Sequence, residues 1–349
     1  MAAAALEAMR RVRLIGAATP INAEPEIERL VAALEAGRPR FPQWVHRPER
    51  TSVPEMLGAQ DLVRERMAEL RLEAAMAEVA GTPAFAPLAA ERFHEPARVL
   101  RAADRTAEAW SKLPASDEGE LVRTDSDDPR SLLSQVRAAI GRARAPFSVR
   151  VSTLGALAAT GEHTVYVARG RSTTAQAACR IALHEVSGHV MPRVRARRLH
   201  WIFELGTARG TDEQEGLAVL YEERAGLLDD ARRVDLARRH LATRAMRSGA
   251  DFVEVTRMLV RMGASSRDAI TIAARVFRGS NGRFPGLGRE SVYITSFSRV
   301  ESHLAKHPSD ETLLASGQIA IAALPLLRQF GTRHADVVVP STKVEVTHT

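Results

Sequence analysis

His184-Glu185-Val186-Ser187-Gly188-His189 places two imidazoles and a carboxylate within six residues of one predicted helix. Those are the donor types of a catalytic zinc site: the histidines bind the ion, and the glutamate stands beside it as a general base toward water. In the commoner His-Glu-x-x-His motif the histidines are four apart, about 40° around the helix. Five apart they differ by about 140°. An ideal α-helix cannot aim both rings at one ion. The spacing therefore predicts one π-type turn, or local unwinding, inside the helix. Ser187-Gly188 is the place for it, since glycine tolerates the dihedrals required. The string is expected by chance only about 0.02 times in a chain of this make-up. A helix with two hydrogen-bonded histidines is the plainer reading.

A third donor is sought downstream, in Asp212-Glu-Gln-Glu-Gly-Leu-Ala-Val-Leu-Tyr-Glu-Glu223. The plain reading of Glu213 and Glu215 is an acidic start that suits the helix dipole. The functional reading makes one of them a metal ligand, giving two histidines, one carboxylate and one open position. Two residues apart on a helix they point about 200° from each other, so only one can serve. Glu215 is chosen because Gly216-Leu-Ala218 follows it, small residues that let this helix approach the motif helix.

Around these segments the chain of 349 residues reads mostly as helix. Helices are expected at 24–36, 53–79 (with Leu57 in its apolar stripe), 88–113, 173–188, 212–224, 231–247, 252–262, 266–277, 295–307 and 310–330. Phe147–Val151 and His163–Ala168 alternate as strands, and 152–162 between them suggests an antiparallel pair. Residues 114–130, with Asp117, Glu118, Glu120, Asp125, Asp127 and Asp128, read as an acidic linker or loop. The expected organisation is a helical N-terminal region over 1–130, a metallopeptidase domain over 131–334 and a polar tail over 335–349. The fold class is α+β and mainly helical: a zincin-like core with a small β-sheet and a helical N-terminal extension.

Composition narrows the function classes. A single cysteine, Cys179, excludes a disulfide framework and multi-cysteine metal sites. Net charge is +7 and the isoelectric point 10.3, yet 42 acids accompany the 49 bases and lysine occurs only at Lys112, Lys306 and Lys343. Arginine, which never deprotonates, accounts for that value, so nucleic-acid binding is not expected. The start lacks a secretory pattern, and no apolar run approaches membrane-spanning length. A cytoplasmic protein without membrane contact is expected.

The two motifs together, His184-Glu-Val-Ser-Gly-His189 and Gln214-Glu-Gly-Leu-Ala218, resemble the tyrosine/phenylalanine carboxypeptidase-like family, whose bacterial members carry a Gln-Glu-Gly-Leu-Met motif. Its animal relatives are the microtubule-associated tyrosine carboxypeptidases. Weaker likeness extends over 14–22, Ala274–Gly279, the Tyr293 region and 314–327. The resemblance implies Zn2+ held by His184, His189 and Glu215, with Glu185 as catalytic base. It implies removal of a C-terminal, possibly aromatic, residue from a peptide or protein. A carboxypeptidase needs a cation for the terminal carboxylate. Arg275 and Arg278 are the expected substrate-binding residues, and Tyr293 an expected catalytic one. Val149–Val151 or Val165–Val167 offers an edge to which a substrate strand could add. An endo- or aminopeptidase with the same metal site, and a non-catalytic zinc-binding regulator, stay open as alternatives.

Overall fold

The computed structural model describes residues 1–56, 58–114 and 119–331. Leu57, Asp117 and Glu118, and the tail from Ala335, lie outside the described residues. Sixty per cent of the described residues are helical, and the sheets are small. No described helix is long and apolar enough to cross a membrane.

The chain packs into two compact units, each built from two stretches. The first combines Met1–Leu113 with Arg233–Thr295. One of its cores joins Leu30 and Val31 to Met246, Phe252, Leu259, Ile270, Val276 and Phe277. A second gathers Leu14, Met76, Phe85, Phe93 and Leu287. Here the helix expected over 53–79 starts only at Asp61, after Pro54 and after Gly58 in left-handed conformation. The one expected over 88–113 is two helices, Phe85–Arg92 and Ala97–Trp110. Pro96 caps the second and cannot continue the first.

The second unit combines Pro114–Arg232 with the described residues from 296 to 331. Its strands are β1 (Leu121–Arg123), β2 (Ser148–Ser152), β3 (Ala158–Thr160), β4 (Thr164–Ala168) and β5 (Ser172–Thr174). β1 pairs antiparallel with β5, and the other three form a sheet in the order β2-β4-β3. The expected antiparallel pairing of 147–151 with 163–168 is corrected: β2 and β4 run parallel, Ser148 opposite Thr164. The cause is β3, a three-residue strand inside the presumed connection. It hairpins into β4 and so reverses the chain a second time. Val165–Val167 is consequently the centre of the sheet, not an edge. The edges are β2 and β3.

The motif helix packs its apolar face on this sheet. Ala178, Ala182, Val186, Val190 and Val194 join Val136, Ile140, Val165 and Val167 in one core. The terminal helix expected over 310–330 divides into Glu311–Leu314 and Leu324–Gly331. Gly317, at φ 146°, lies between them, where a β-carbon would come within 2.5 Å of the Phe203 carbonyl.

Candidate metal centre

The helix that begins at Thr174, whose hydroxyl accepts the Ala177 N–H, runs as α-helix over Ala175–Leu183. It becomes a π-helix over His184–Val190 and returns to α-helix over Met191–Ala196. The widening is the one that five-residue spacing demands, because bonds from i to i+5 stack residues five apart. Gly188 is not in left-handed conformation; it is there for contact. A β-carbon on it would lie 2.4 Å from that of Ala218, on the acidic helix Gly210–Arg224. Gly216 serves another neighbour: its missing β-carbon would sit 2.3 Å from the Ser296 backbone.

Pressed together this way, the two helices converge three donors. One ligand atom from each of His184, His189 and Glu215 lies within 4.8 Å of the others. Glu215 Oε2 is 3.4 Å from His184 Nε2 and 3.8 Å from His189 Nε2. Two ligands sharing a tetrahedral zinc ion stand about 3.4 Å apart, so the spacing and donor types fit such an ion. His184 and Glu215 are buried and His189 partly so. Glu213 turns elsewhere. Its Oε1 accepts from Arg299 Nε at 2.9 Å, and burial pushes its carboxyl up to about 7 despite that guanidinium.

Each histidine has its other nitrogen fixed. His184 Nδ1 donates to Glu222 Oε1 at 2.6 Å, and His189 Nδ1 to Gln214 Oε1 at 2.9 Å. Nε2 of both rings is thereby the atom left to hold an ion. Glu222 is fully buried and also takes Arg232 Nε at 3.1 Å, with Arg180 Nη1 3.7 Å away. Burial would raise its pKa, but Arg232, His184 and Arg180 hold it below the usual carboxylate range. Burial would likewise lower that of His184, but Glu215 and Glu222 outweigh it and raise the value. The space between these carboxylates favours a cation. Glu185, next in sequence, is buried, and its Oε2 accepts the Thr160 hydroxyl at 2.7 Å.

Gln214, Glu222 and Thr160 received no role from sequence. Glu222 had a readable signal: seven residues after Glu215, it lies on nearly the same helix face. Arg275, Arg278 and Tyr293 belong to the first unit. Arg275 Nε is 3.1 Å from buried Glu290 Oε1, and Tyr293 is buried with the Arg239 guanidinium 5.9 Å from its ring centre. Arg278 has no side-chain hydrogen bond or ion pair among the described residues. Burial and Arg275 pull its pKa down to about 10.

A helix-borne pair of histidines with a carboxylate on a neighbouring helix is the ligand arrangement of many metal-dependent hydrolases. The family model for microtubule-associated tyrosine carboxypeptidase matches residues 36–342, and the chain belongs to that family. Membership supports a carboxypeptidase-like activity on a peptide or protein substrate. Comparison with curated proteins finds no match.

Proposed function

We propose that this protein is a cytoplasmic zinc metallocarboxypeptidase with a zincin-like core, removing a C-terminal aromatic residue. The observation that carries the reading is that His184 and His189, on a helix widened to permit it, converge with Glu215 of the neighbouring helix, one ligand atom of each within 4.8 Å of the others. Zinc, when bound, supplies Lewis acidity that polarises a peptide carbonyl and makes water nucleophilic near neutral pH.

The chain's own residues do the rest. Glu222 and Gln214 hold the two imidazoles in the tautomer that presents Nε2. Glu185 takes the proton of the attacking water and returns it to the leaving amine. With Thr160 donating to Oε2, Oε1 is the oxygen that carries this proton. The outer edge of β3, the strand bearing Thr160, suits addition of an extended peptide. Binding roles for Arg275 and Arg278 and a catalytic role for Tyr293 belong to the same proposal. Of the two arginines Arg278 is the freer, Arg275 being held by Glu290.

The test is digestion of a peptide library varied at the C-terminus, read by mass spectrometry, with zinc-loaded protein and its Glu185→Gln variant. The expected result is loss of one terminal aromatic residue by the parent, abolished by chelator. The variant should be slower by about 10²–10⁴-fold with its zinc retained. Identical digests from both proteins defeat the assignment. Stoichiometric zinc without hydrolysis by either favours a non-catalytic regulator.

A further inference from the structure

The helix that carries His184 and His189 continues into two arginines whose guanidiniums lie against neutral acceptors. Arg193 Nη1 donates to the Gly161 carbonyl at 3.0 Å. Arg197 Nη2 donates to the Glu162 carbonyl at 2.8 Å, and its Nη1 lies 3.0 Å from His163 Nδ1. Both therefore grip the turn between β3 and β4. Neither forms an ion pair with a carboxylate among the described residues. Buried Arg92, by contrast, meets Glu69 at 3.2 Å and Glu73 at 2.8 Å.

Arg193 is the more unusual of the two. Its Nε–H is buried with no hydrogen-bond partner, and Nη2 has none among the described residues. Nε and Nη2 form one of the two edges by which a guanidinium binds a carboxylate bidentately. Burial and the neighbouring Arg197 disfavour its charge, while Glu162 and Glu185 favour it. Arg193 is half-buried as a residue, but a buried donor such as its Nε–H costs free energy while it stays unpaired, and an anionic ligand on that edge would satisfy it.

The location suggests which anion. Thr160, which holds the base Glu185, immediately precedes Gly161, which holds Arg193. Along a strand one residue advances about 3.3 Å. A peptide lying along β3 with its last amide bond at Glu185 extends one residue further, and there its terminal carboxylate falls. We propose that Arg193 reads the C-terminal carboxylate of the substrate through its Nε–Nη2 edge, with Arg197 adding attraction at longer range. This rests on the carboxypeptidase reading and gives it a selectivity element within the unit that carries the three donors.

The test measures binding, not turnover. N-acetyl-phenylalanine and its amide are titrated into metal-free protein, so that the carboxylate cannot be held by a metal ion. The parent is expected to prefer the carboxylate by about tenfold or more, as for a charge-assisted bidentate pair. Arg193→Met should erase that preference while leaving affinity for the amide, and Arg193→Lys should keep part of it. If Arg193→Met does not fold, the reduced preference of Arg193→Lys carries the test. A parent without carboxylate preference overturns the proposal. So does preference retained in Arg193→Met and lost in Arg278→Met. Zinc uptake, measured in parallel, separates the two readings. A protein that takes no zinc yet shows the Arg193-dependent preference sinks the metallopeptidase assignment and supports this one.

Discussion

Two buried carboxylates, one in each unit, have nearly the same surroundings and different consequences. In the first unit Glu290, 1% exposed, lies 3.1 Å from Arg275 and 3.5 Å from Arg239. In the second, Glu222, also buried, meets Arg232 at 3.1 Å and Arg180 at 3.7 Å. Burial would raise the pKa of both, and arginines hold both down. The difference is the third neighbour of Glu222, the imidazole of His184. A guanidinium is only a donor, so the network around Glu290 leaves no nitrogen able to act as a ligand. An imidazole has two unlike nitrogens: the one spent on Glu222 leaves the other facing Glu215. One residue type turns a structural charge cluster into support for a ligand site.

Removing each carboxylate in turn is the strongest way to break that contrast. Glu290→Gln leaves Arg275 and Arg239 without their anion, and loss of one partner from a buried pair costs about 3–5 kcal/mol. A fall of that order is expected in chemical denaturation, with zinc affinity of the folded protein unchanged. Glu222→Gln keeps the shape but weakens the acceptor that orients His184. Changes of this kind cost about 10–100-fold in metal affinity. The zinc dissociation constant, measured with a competing chelator, should rise by that factor, and saturating zinc should restore much of the activity. If Glu290→Gln weakens zinc binding as much as Glu222→Gln does, the two clusters are not distinct in kind.

The contrast also marks how far sequence carries. The five-residue spacing of His184 and His189 required a widened helix, because helical rotation is fixed by geometry alone, and the π-helix lies at the motif. Gly188 was legible as a special position, but for the wrong reason. Whether a glycine serves a dihedral or a contact depends on what packs against it, and Ala218 is thirty residues away. Glu222 was obscured by the ordinary look of an acidic helix end, where any carboxylate can be solvated. The parallel pairing of β2 and β4 was hidden because β3, of three residues, leaves too short an alternation to read. Its Thr160 then sat in an apparent loop. The proline and glycine breaks at Pro96 and Gly317 were visible, yet flanking helical pattern outweighed them.

Thr160 gives the smallest of these effects, and it sharpens the contrast from the opposite side. Its hydroxyl reaches Glu185, not a metal-facing ligand, so it should act on proton transfer and not on metal retention. A hydrogen bond to a charged group contributes about 1.5–3 kcal/mol. Much of that is recoverable by water at a site open to substrate, so kcat is expected to fall about tenfold in Thr160→Val. KM and zinc content should stay near the parent values. Thr160→Ser, which restores the hydroxyl without the methyl, should recover most of the rate. A purely structural role for the side chain would follow its volume instead, favouring valine over serine. Full kcat in Thr160→Val would show that Glu185 needs no such support.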